Sequence, residues 1–393
     1  MVVVENIWKF MVPELLIFGN NSIEGITDIL TASSASKFLV VTGRIVRSKG
    51  LADPVLKAIN KCGKQYEIFD SIEGETVTAH IEDGLRAFRE NECDEIIAIG
   101  GGSPLDAAKL ISVMTTNPGK IIDYRGIDKI PAKGARVIAI PTTAGTGSEV
   151  TRYAAVIDTL TSEKILLTSP YLIADTAVVD PALTVSCPRQ LTAATGIDAL
   201  THAIEAYVSR KANPASDMFA INAINMISRN IRAAWSDGKD IDAREKVMLG
   251  SMYAGIAFSN ASVALVHGMS RPIGANFSIS HGVSNAALLV TVMEFSNTGN
   301  QKRYAEIATA MGGDIAGMPF DQAAKYSVDE ARQLIKDLEI PTLGELGINR
   351  NKLVEYAPRM AEAAIVSGSP GNNPVIATKE EITGLYLKAF DGI

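Results

Sequence analysis

The 393-residue chain is longer than one hydrophobic core usually supports, and with 47% hydrophobic and 21% charged residues it has apolar material for two cores. Its net charge of −7 and lack of any Lys/Arg run argue against nucleic acid as a partner, because phosphate-binding proteins normally display basic patches. No apolar stretch approaches the ~20 residues that span a bilayer, and the first ten residues lack the basic start of a secretory signal, so we expect a cytoplasmic protein with no membrane partner.

The first half of the chain alternates short β-branched runs with helical segments. Strands are predicted in KFLVVT, YEIFD, EIIAIG and RVIAIP, and helices in LADPVLKAINKC, VTAHIEDGLRAFREN and PLDAAKLISVM. Apolar strands flanked by helices are typical of a parallel sheet covered on both faces. This half is therefore predicted to be an α/β domain.

Helical periodicity dominates beyond Pro188. It covers residues 192–207, 215–235 and 243–258 and resumes after residue 302, with no convincing strand. We therefore predict an α/β domain over residues 1–187 and an all-α domain over residues 188–393.

Two glycine-containing loops follow predicted strands of the first half. In EIIAIGGGSPLDAAK the glycines allow close backbone approach, Ser103 can cap a helix, and a helix N-terminus attracts anions such as pyrophosphate. The dinucleotide pattern G-x-G-x-x-G fails at Leu105, so this loop alone fits a phosphate site and a merely tight turn equally well. A second loop, PTTAGTGSEVT, also follows a buried strand, and two such loops favour a nucleotide.

A metal-ligand pattern lies in the second half. Asp198 and His202 are four residues apart, a helical spacing that places both side chains on one face. His267 begins and His281 ends the segment HGMSRPIGANFSISH. A loop predicted over residues 272–276 can bring the second imidazole back toward the first. Three imidazoles and one carboxylate suit Fe²⁺ or Zn²⁺ better than Ca²⁺ or Mg²⁺.

The alternative is that these are ordinary core or surface histidines. The chain has only four histidines, and three of them fall in two glycine-bounded segments, which favours the metal site. His80 lies outside the pattern and is interpreted as an ordinary histidine.

Taken together, the sequence resembles the iron-dependent, or group III, alcohol dehydrogenases over nearly its whole length. The motifs that carry the resemblance are FGNNSIEGI, GGGSPLDAAK, PTTAGTGSEVT, ADTAVVDPALT, TAATGIDALTHAIEAYVSRKANPASD and the HG…HG region. The resemblance implies the dehydroquinate synthase-like superfold, with a nucleotide-binding α/β domain, a helical metal-binding domain, and the metal and nicotinamide in the cleft between them.

The resemblance also implies roles for individual residues. The metal, usually Fe²⁺ and sometimes Zn²⁺, would be bound by Asp198, His202, His267 and His281. The dinucleotide, NAD(H) or NADP(H), would contact the pyrophosphate residues Gly101, Gly102 and Ser103, the cleft residues Thr142 and Thr143, the ribose-binding Lys164, and also Asp106 and Thr151.

The expected reaction is hydride transfer between the nicotinamide and a small primary alcohol or aldehyde. A divalent ion is the Lewis acid and the nicotinamide the hydride carrier, so no side chain has to be a nucleophile. The partners expected are this small substrate and further copies of the chain, in a homodimer or higher homo-oligomer.

Two positions depart from the family pattern. The family commonly has a second histidine four residues after the first metal histidine, where this chain has Arg271. Arginine cannot act as a general base, and it either pairs with a carboxylate or binds an acidic group on the substrate, such as sulfonate, phosphonate or carboxylate.

The second position is in the motif VVTGR. Many NAD-preferring relatives have Asp after the Thr of this motif, where this chain has Gly43 followed by Arg44. Without a carboxylate that repels a 2′-phosphate, NADP(H) is allowed as a cofactor, and Arg44 could bind the phosphate or equally be a solvated surface charge.

Two other functions remain as alternatives. The same superfold hosts dehydroquinate synthase-like lyases, which use NAD and a metal but would need several basic side chains around a phosphate. The other alternative is a nicotinamide- and metal-binding scaffold without turnover, for which the replacement of the second histidine by Arg271 is the only support.

Overall fold

The structure, a computed structural model, describes residues 7–161 and 163–392 and divides into two compact units. The sheet unit contains residues 12–187 and 238–248. The helical unit contains the described residues up to Met11 together with residues 188–237 and the described residues from 249 onward. The chain therefore changes units at Pro188. Two short segments differ from a division at this single boundary: residues 7–11 belong to the helical unit, and residues 238–248 belong to the sheet unit.

The described residues of the sheet unit form nine strands in two sheets. They are β1 (Leu15–Phe18), β2 (Lys37–Thr42), β3 (Gln65–Phe69), β4 (Glu95–Gly100), β5 (Gly126–Ile127), β6 (Val137–Pro141), β7 (Tyr153–Ile157), β8 (Lys164–Thr168) and β9 (Thr176–Val179). Six of them pair in parallel in the order β1-β9-β6-β4-β2-β3, and the others form a small sheet in the order β5-β8-β7. The predicted parallel sheet is confirmed. The sequence analysis missed the short strands β1, β5 and β9, and it also missed β7 and β8, which are as long as the predicted strands β3 and β6.

Both faces of the large sheet are covered. The covering helices are α1 (Ile26–Ala32), α3 (Asp53–Lys61), α4 (Thr78–Glu90) and α5 (Gly102–Met114). The short helix α2 (Arg44–Ser48) has no buried residue and packs against a core only through the partly buried Val46. Alternate residues of β2 belong to different cores, Leu39 and Val41 to one and Phe38 and Val40 to the other, and all four are fully buried. Period-two alternation thus supplies apolar side chains to both faces, which explains the continuous hydrophobic runs of these strands.

The parallel arrangement brings three loops to one edge of the sheet. In the register of neighbouring strands, Thr42 of β2 lies beside Ile99 of β4, and Gly100 of β4 lies beside Pro141 of β6. All three strands therefore end at the same edge, where the segments starting at Gly43, Gly101 and Thr142 follow them. Ligands of open α/β sheets bind at this carboxyl edge, next to the point where the strand order reverses.

The described residues of the helical unit, none of which lies in a strand, form nine α-helices. They are α6 (Arg189–Val208), α7 (Pro214–Ser236), α8 (Ile241–Ala261), α9 (Leu265–Phe277), α10 (His281–Ser296), α11 (Gln301–Met311), α12 (Phe320–Asp337), α13 (Arg350–Val366) and α14 (Lys379–Asp391). The first residues of α8, 241–248, are grouped with the sheet unit. The all-helical character predicted beyond Pro188 is confirmed.

The loop predicted over residues 272–276 is wrong, because these residues lie inside α9. Proline lacks a backbone N–H, so Pro272 costs α9 one backbone hydrogen bond. Pro272 is nevertheless buried, as are most residues of the turns that precede it in α9. Burial of the apolar face of α9 outweighs that loss. The chain reverses only at residues 278–280, after Ser278 ends α9 in the left-handed region with φ 57°.

Among residues 7–161 and 163–392, no single helix has the length and apolar composition needed to cross a membrane. One pair of helices, α8 and α9, meets that criterion only when the two are taken together, and it is bent by 102° at its break.

Candidate metal centre and nucleotide loops

One face of α6 carries three buried ionisable side chains. Asp198, His202 and Glu205 occupy positions i, i+4 and i+7, which a helix places one above another. All three are at most 5% exposed. Ionisable side chains are rarely buried unless they are paired or bind a metal, so this face requires partners from other helices.

The partners come from α9 and α10. His267 lies in the first turn of α9, and His281 is the first residue of α10. The His267 ring stacks on the His202 ring with centroids 4.4 Å apart, and His267 Nε2 lies 3.6 Å from Asp198 Oδ1. One ligand atom from each of the four residues lies within 4.8 Å of all the others. The four side chains, which are spread over residues 198–281 of the sequence, therefore converge on one candidate metal site.

Glu205 fixes both the start of α9 and the orientation of His267. Its carboxylate accepts backbone N–H groups of Ala264 at 2.9 Å and Val266 at 2.5 Å, which neutralises the unpaired amides of a helix start. Its Oε2 also lies 2.7 Å from His267 Nδ1. Because a carboxylate oxygen accepts, this contact places a proton on His267 Nδ1, and Nε2 faces Asp198.

Asn285, one turn after His281 on α10, also reaches this cluster and is fully buried. Its amide nitrogen donates to Asp198 Oδ1 at 2.6 Å and lies 3.0 Å from His267 Nε2 and 3.2 Å from His281 Nε2. One amide group thus contacts ligand atoms of three of the four clustered residues.

The electrostatics of the cluster favour a bound cation. Burial opposes ionisation of Asp198, but the charge of His202, the hydrogen bond with His267 and the charge of His281 together hold the pKa of Asp198 below its ordinary value. Burial likewise opposes protonation of His267, but the hydrogen bonds to Asp198 and Glu205 raise its pKa. An ionised carboxylate among imidazoles attracts a proton or a metal ion to the same place, and this donor set fits Fe²⁺ or Zn²⁺.

The two predicted nucleotide loops are in contact with each other. Gly101 is the N-cap of α5, and a Cβ on Gly102 would lie 2.8 Å from the Thr146 side chain, which only glycine avoids. A Cβ on Gly101 would lie 3.5 Å from Thr143. Ser103, predicted as a possible cap, lies instead inside the first turn of α5 and accepts the Thr76 hydroxyl through its carbonyl. The first amides of α5 begin at this junction of the two loops.

A buried network connects the same loops from behind. Lys109 of α5 donates to the Ser148 carbonyl at 2.9 Å and to the Tyr153 carbonyl at 2.5 Å, and lies 3.5 Å from Thr151 Oγ1. Asp106 accepts the Ser148 hydroxyl at 2.5 Å and the Ala155 amide at 2.9 Å. Burial lowers the pKa of Lys109. Asp106 and Thr151 therefore contact the protein framework that holds the loops.

Burial also changes the ionisation of Glu149, in the second loop. It raises the pKa of this carboxyl to about 7, against the lowering effects of a backbone hydrogen bond and of the Lys109 charge. Glu149 thus adds a titratable group to the network behind the loops.

Two further predicted cofactor residues, Arg44 and Lys164, have ion-pair partners in the sheet unit. Arg44 forms an ion pair with Glu73 at 2.7 Å, and both side chains are more than 60% exposed. Lys164 pairs with Glu75 at 2.6 Å. Gly43 precedes α2 in an extended conformation, and a Cβ there would lie 3.2 Å from the Ile72 carbonyl oxygen.

Arg271 lies on α9, one turn after His267, and is half-buried. Its Nη1 donates to Ser369 Oγ at 3.2 Å. The spacing of four residues places Arg271 on the helix face that carries His267.

The comparison with known proteins identifies the family. The model described as iron-containing alcohol dehydrogenase matches residues 13–181, and the model of the C-terminal part of the Fe-containing alcohol dehydrogenase family matches residues 192–390. The chain belongs to the iron-containing alcohol dehydrogenase family.

Three relatives illustrate the likeness. The chain is 36% identical to 1,3-propanediol dehydrogenase from Klebsiella pneumoniae over 386 residues, which cover 98% of this chain and 99% of that protein. The crystal structure of a 1,3-propanediol oxidoreductase matches with a TM-score of 0.95 at 36% identity, covering 98% of this chain and all of that one. A third match is the crystal structure of sulfoacetaldehyde reductase from Bifidobacterium kashiwanohense in complex with NAD⁺. It has a TM-score of 0.89 at 26% identity and covers 99% of this chain and 100% of that one.

As an iron-containing alcohol dehydrogenase, the chain is a metal-dependent oxidoreductase that interconverts small alcohols and aldehydes. Membership supports a metal and NAD(H) as its cofactors in general terms. It also favours a dehydrogenase over the lyase and the scaffold that the sequence left as alternatives.

The sequence analysis missed three residues that organise this dehydrogenase, namely Glu205, Asn285 and Lys109. Glu205 continues the helical face of Asp198 and His202, and Asn285 follows His281 by one turn, so helical spacing from the predicted ligands was the available signal. Lys109 gave no comparable signal, because a lysine in a helix is ordinarily exposed.

Proposed function

We propose that this chain is an iron-dependent aldehyde reductase or alcohol dehydrogenase in which Asp198, His202, His267 and His281 bind Fe²⁺, with Zn²⁺ as a substitute. The observation that supports it most is the convergence of three imidazoles and one carboxylate within 4.8 Å. Glu205 holds His267 with Nε2 available, which is the arrangement typical of metal-binding histidines.

The residues of the chain bind and orient, and the cofactors supply the reactivity. A bound divalent ion supplies Lewis acidity toward the substrate oxygen, and the nicotinamide carries the hydride. Arg271 stays protonated and cannot take up the substrate proton, so in our proposal that proton leaves through water or the cofactor ribose.

For the dinucleotide, we propose that the first amides of α5, with Gly101, Gly102 and Ser103, bind the pyrophosphate. Helix N-termini are anion sites, and this one follows a strand at the carboxyl edge of a parallel sheet. Thr142 and Thr143 follow the adjacent strand.

Five further residues are proposed for the dinucleotide site. Gly43 and Arg44 follow β2, and we assign them to the adenosine ribose. We assign Lys164 to a ribose, to which it would bind in place of its ion-pair partner Glu75. Asp106 and Thr151 act indirectly, because they hold the loops.

The test of this function is a substrate panel. Protein loaded with Fe²⁺ or Zn²⁺ is assayed for aldehyde-dependent oxidation of NADH and NADPH, using short aldehydes with and without an acidic group. We expect turnover with at least one class. Stoichiometric metal without turnover on any aldehyde would contradict a reductase and support the non-catalytic scaffold.

The turn after β2 should control cofactor choice. Gly43→Asp places a carboxylate where it repels a 2′-phosphate, so the KM for NADPH should rise more than the KM for NADH. The ratio of the two kcat/KM values measures the change. Because any Cβ here approaches the Ile72 carbonyl, Gly43→Ala is the matched control, and it should affect both cofactors equally. An unchanged ratio in Gly43→Asp would show that the turn does not face the ribose.

We further propose that Arg271 selects an aldehyde that carries a sulfonate, phosphonate or carboxylate. Its support is the position one turn from His267, together with the relative named for sulfoacetaldehyde. A guanidinium binds such groups through two parallel donors, which a histidine at this position would lack.

The expected preference of the wild type for the acidic over the neutral aldehyde is about 10- to 100-fold in kcat/KM. Arg271→His should erase most of it, and Arg271→Lys should retain part, because an ammonium keeps the charge without the planar donors. Equal losses on acidic and neutral aldehydes would instead assign Arg271 a structural role through Ser369.

We also propose a homodimer or higher homo-oligomer. Strand β1 lies at the edge of the large sheet, and its Leu15 is 44% exposed. An exposed apolar edge strand offers backbone groups with which a strand of another chain can pair. Sedimentation equilibrium giving the mass of one chain would contradict this proposal.

A further inference from the structure

A segment of the sheet unit, residues 71–77, follows β3 and borders the proposed dinucleotide site. Strand β3 is parallel to β2, so the segment starts at the same carboxyl edge as the turn after β2. Its Ser71 forms an isolated β-bridge with Gly43, and its Thr76 hydroxyl donates to the Ser103 carbonyl at 2.9 Å. The segment therefore contacts both the turn assigned to the adenosine ribose and the helix start assigned to the pyrophosphate.

Two carboxylates of this segment pair with cations that we assign to the dinucleotide. Glu73 Oε1 lies 2.7 Å from Arg44 Nη1, and Glu75 Oε1 lies 2.6 Å from Lys164 Nζ. Each of these two cations thus has an anion beside it, supplied by residues that follow β3 rather than β2. The two positive charges are therefore balanced within the protein.

We propose that Glu73 is a specificity-determining residue that makes this chain select NAD(H) over NADP(H). This inference rests on the dinucleotide site proposed above. Sites that select NAD commonly use a carboxylate to bind the 2′-hydroxyl of the adenosine ribose. The turn after β2 has Gly43 instead, and Glu73 supplies a carboxylate beside the same turn from the neighbouring segment.

A carboxylate in this place distinguishes the two cofactors by hydrogen bonding and by charge. A carboxylate has about four lone-pair positions, so Glu73 can accept a ribose hydroxyl while it pairs with Arg44. A 2′-phosphate, with a charge of about −1.5 to −2 at pH 7, is instead repelled by Glu73 and must displace it to reach Arg44. Both side chains are more than 60% exposed, so their ion pair is weak and Glu73 is accessible to a ligand.

The experiment measures the dissociation constants of NADH and NADPH by fluorescence titration at low ionic strength, and kcat/KM with both cofactors. We expect the wild type to bind NADH more tightly. Glu73→Gln keeps the size of the side chain and removes its charge, so the affinity for NADPH should rise about tenfold relative to that for NADH. The shift should shrink in about 0.5 M NaCl, because salt screens exposed charges.

A matched control and the wild type make the outcome decisive. Glu14 is a similarly exposed carboxylate that pairs with Lys133, but it precedes β1 and therefore lies at the amino edge of the parallel sheet. Glu14→Gln should leave the ratio of the two dissociation constants unchanged. A wild type that prefers NADPH, or an unchanged ratio in Glu73→Gln, would overturn the inference. A wild type that binds neither NADH nor NADPH would overturn the proposed dinucleotide site itself.

Discussion

His267→Ala is expected to abolish metal binding and reduce turnover to the background rate. His267 is central to the cluster, because its Nε2 lies 3.6 Å from Asp198 and its ring stacks on His202. Its loss leaves three ligands and a cavity within a buried site. Elemental analysis of the purified protein measures the metal, and NAD(P)H oxidation measures turnover. Dinucleotide binding should survive, because the residues proposed for it lie in the sheet unit.

The matched control for this prediction is His80→Ala. His80 lies on α4 of the sheet unit and is the only histidine outside the cluster, and its variant should keep full metal content and activity. The variant also tests whether losing any histidine disturbs the protein. A His267→Ala protein with one metal ion per chain and wild-type kcat would disprove the proposed site.

Glu205→Gln should weaken metal binding by about 10- to 100-fold, although Glu205 is not a proposed ligand. Glutamine keeps one oxygen, which can still accept the Val266 amide at the start of α9, so the helix should persist. Its NH₂ group, however, can turn toward His267 Nδ1. That contact moves the imidazole proton to Nε2, where it blocks the metal. Titration with Zn²⁺ and with spectroscopically visible Co²⁺ measures the affinity.

Two comparisons separate this effect from general instability. Saturating metal should recover much of the kcat of Glu205→Gln, whereas it cannot rescue His267→Ala. Glu306→Gln is the matched control, since Glu306 accepts the Tyr207 hydroxyl at 2.6 Å in the same unit and should leave metal affinity unchanged. Wild-type metal affinity in Glu205→Gln would mean that the carboxylate serves only to start α9.

Much of the fold was predictable because its signals are local. The strands buried on both faces of the sheet are continuous apolar runs, and the helices beyond Pro188 have apolar residues at helical spacing. The short strands β1 and β9 were not predictable, because four residues carry too little pattern and their pairing joins residues about 160 positions apart. Pro272 misled the prediction of a loop, since burial of α9 by its neighbours outweighs a local helix breaker.

The sequence by itself determined the family, through long motifs, and the chemistry of the candidate metal site, through the rarity and spacing of its histidines. Only the tertiary structure decided how that site is held. Glu205 reaches the start of α9, and Asn285 of α10 reaches Asp198 of α6. The physical reason is that spacing along one helix fixes which side chains share a face, whereas contacts between helices depend on how distant segments pack.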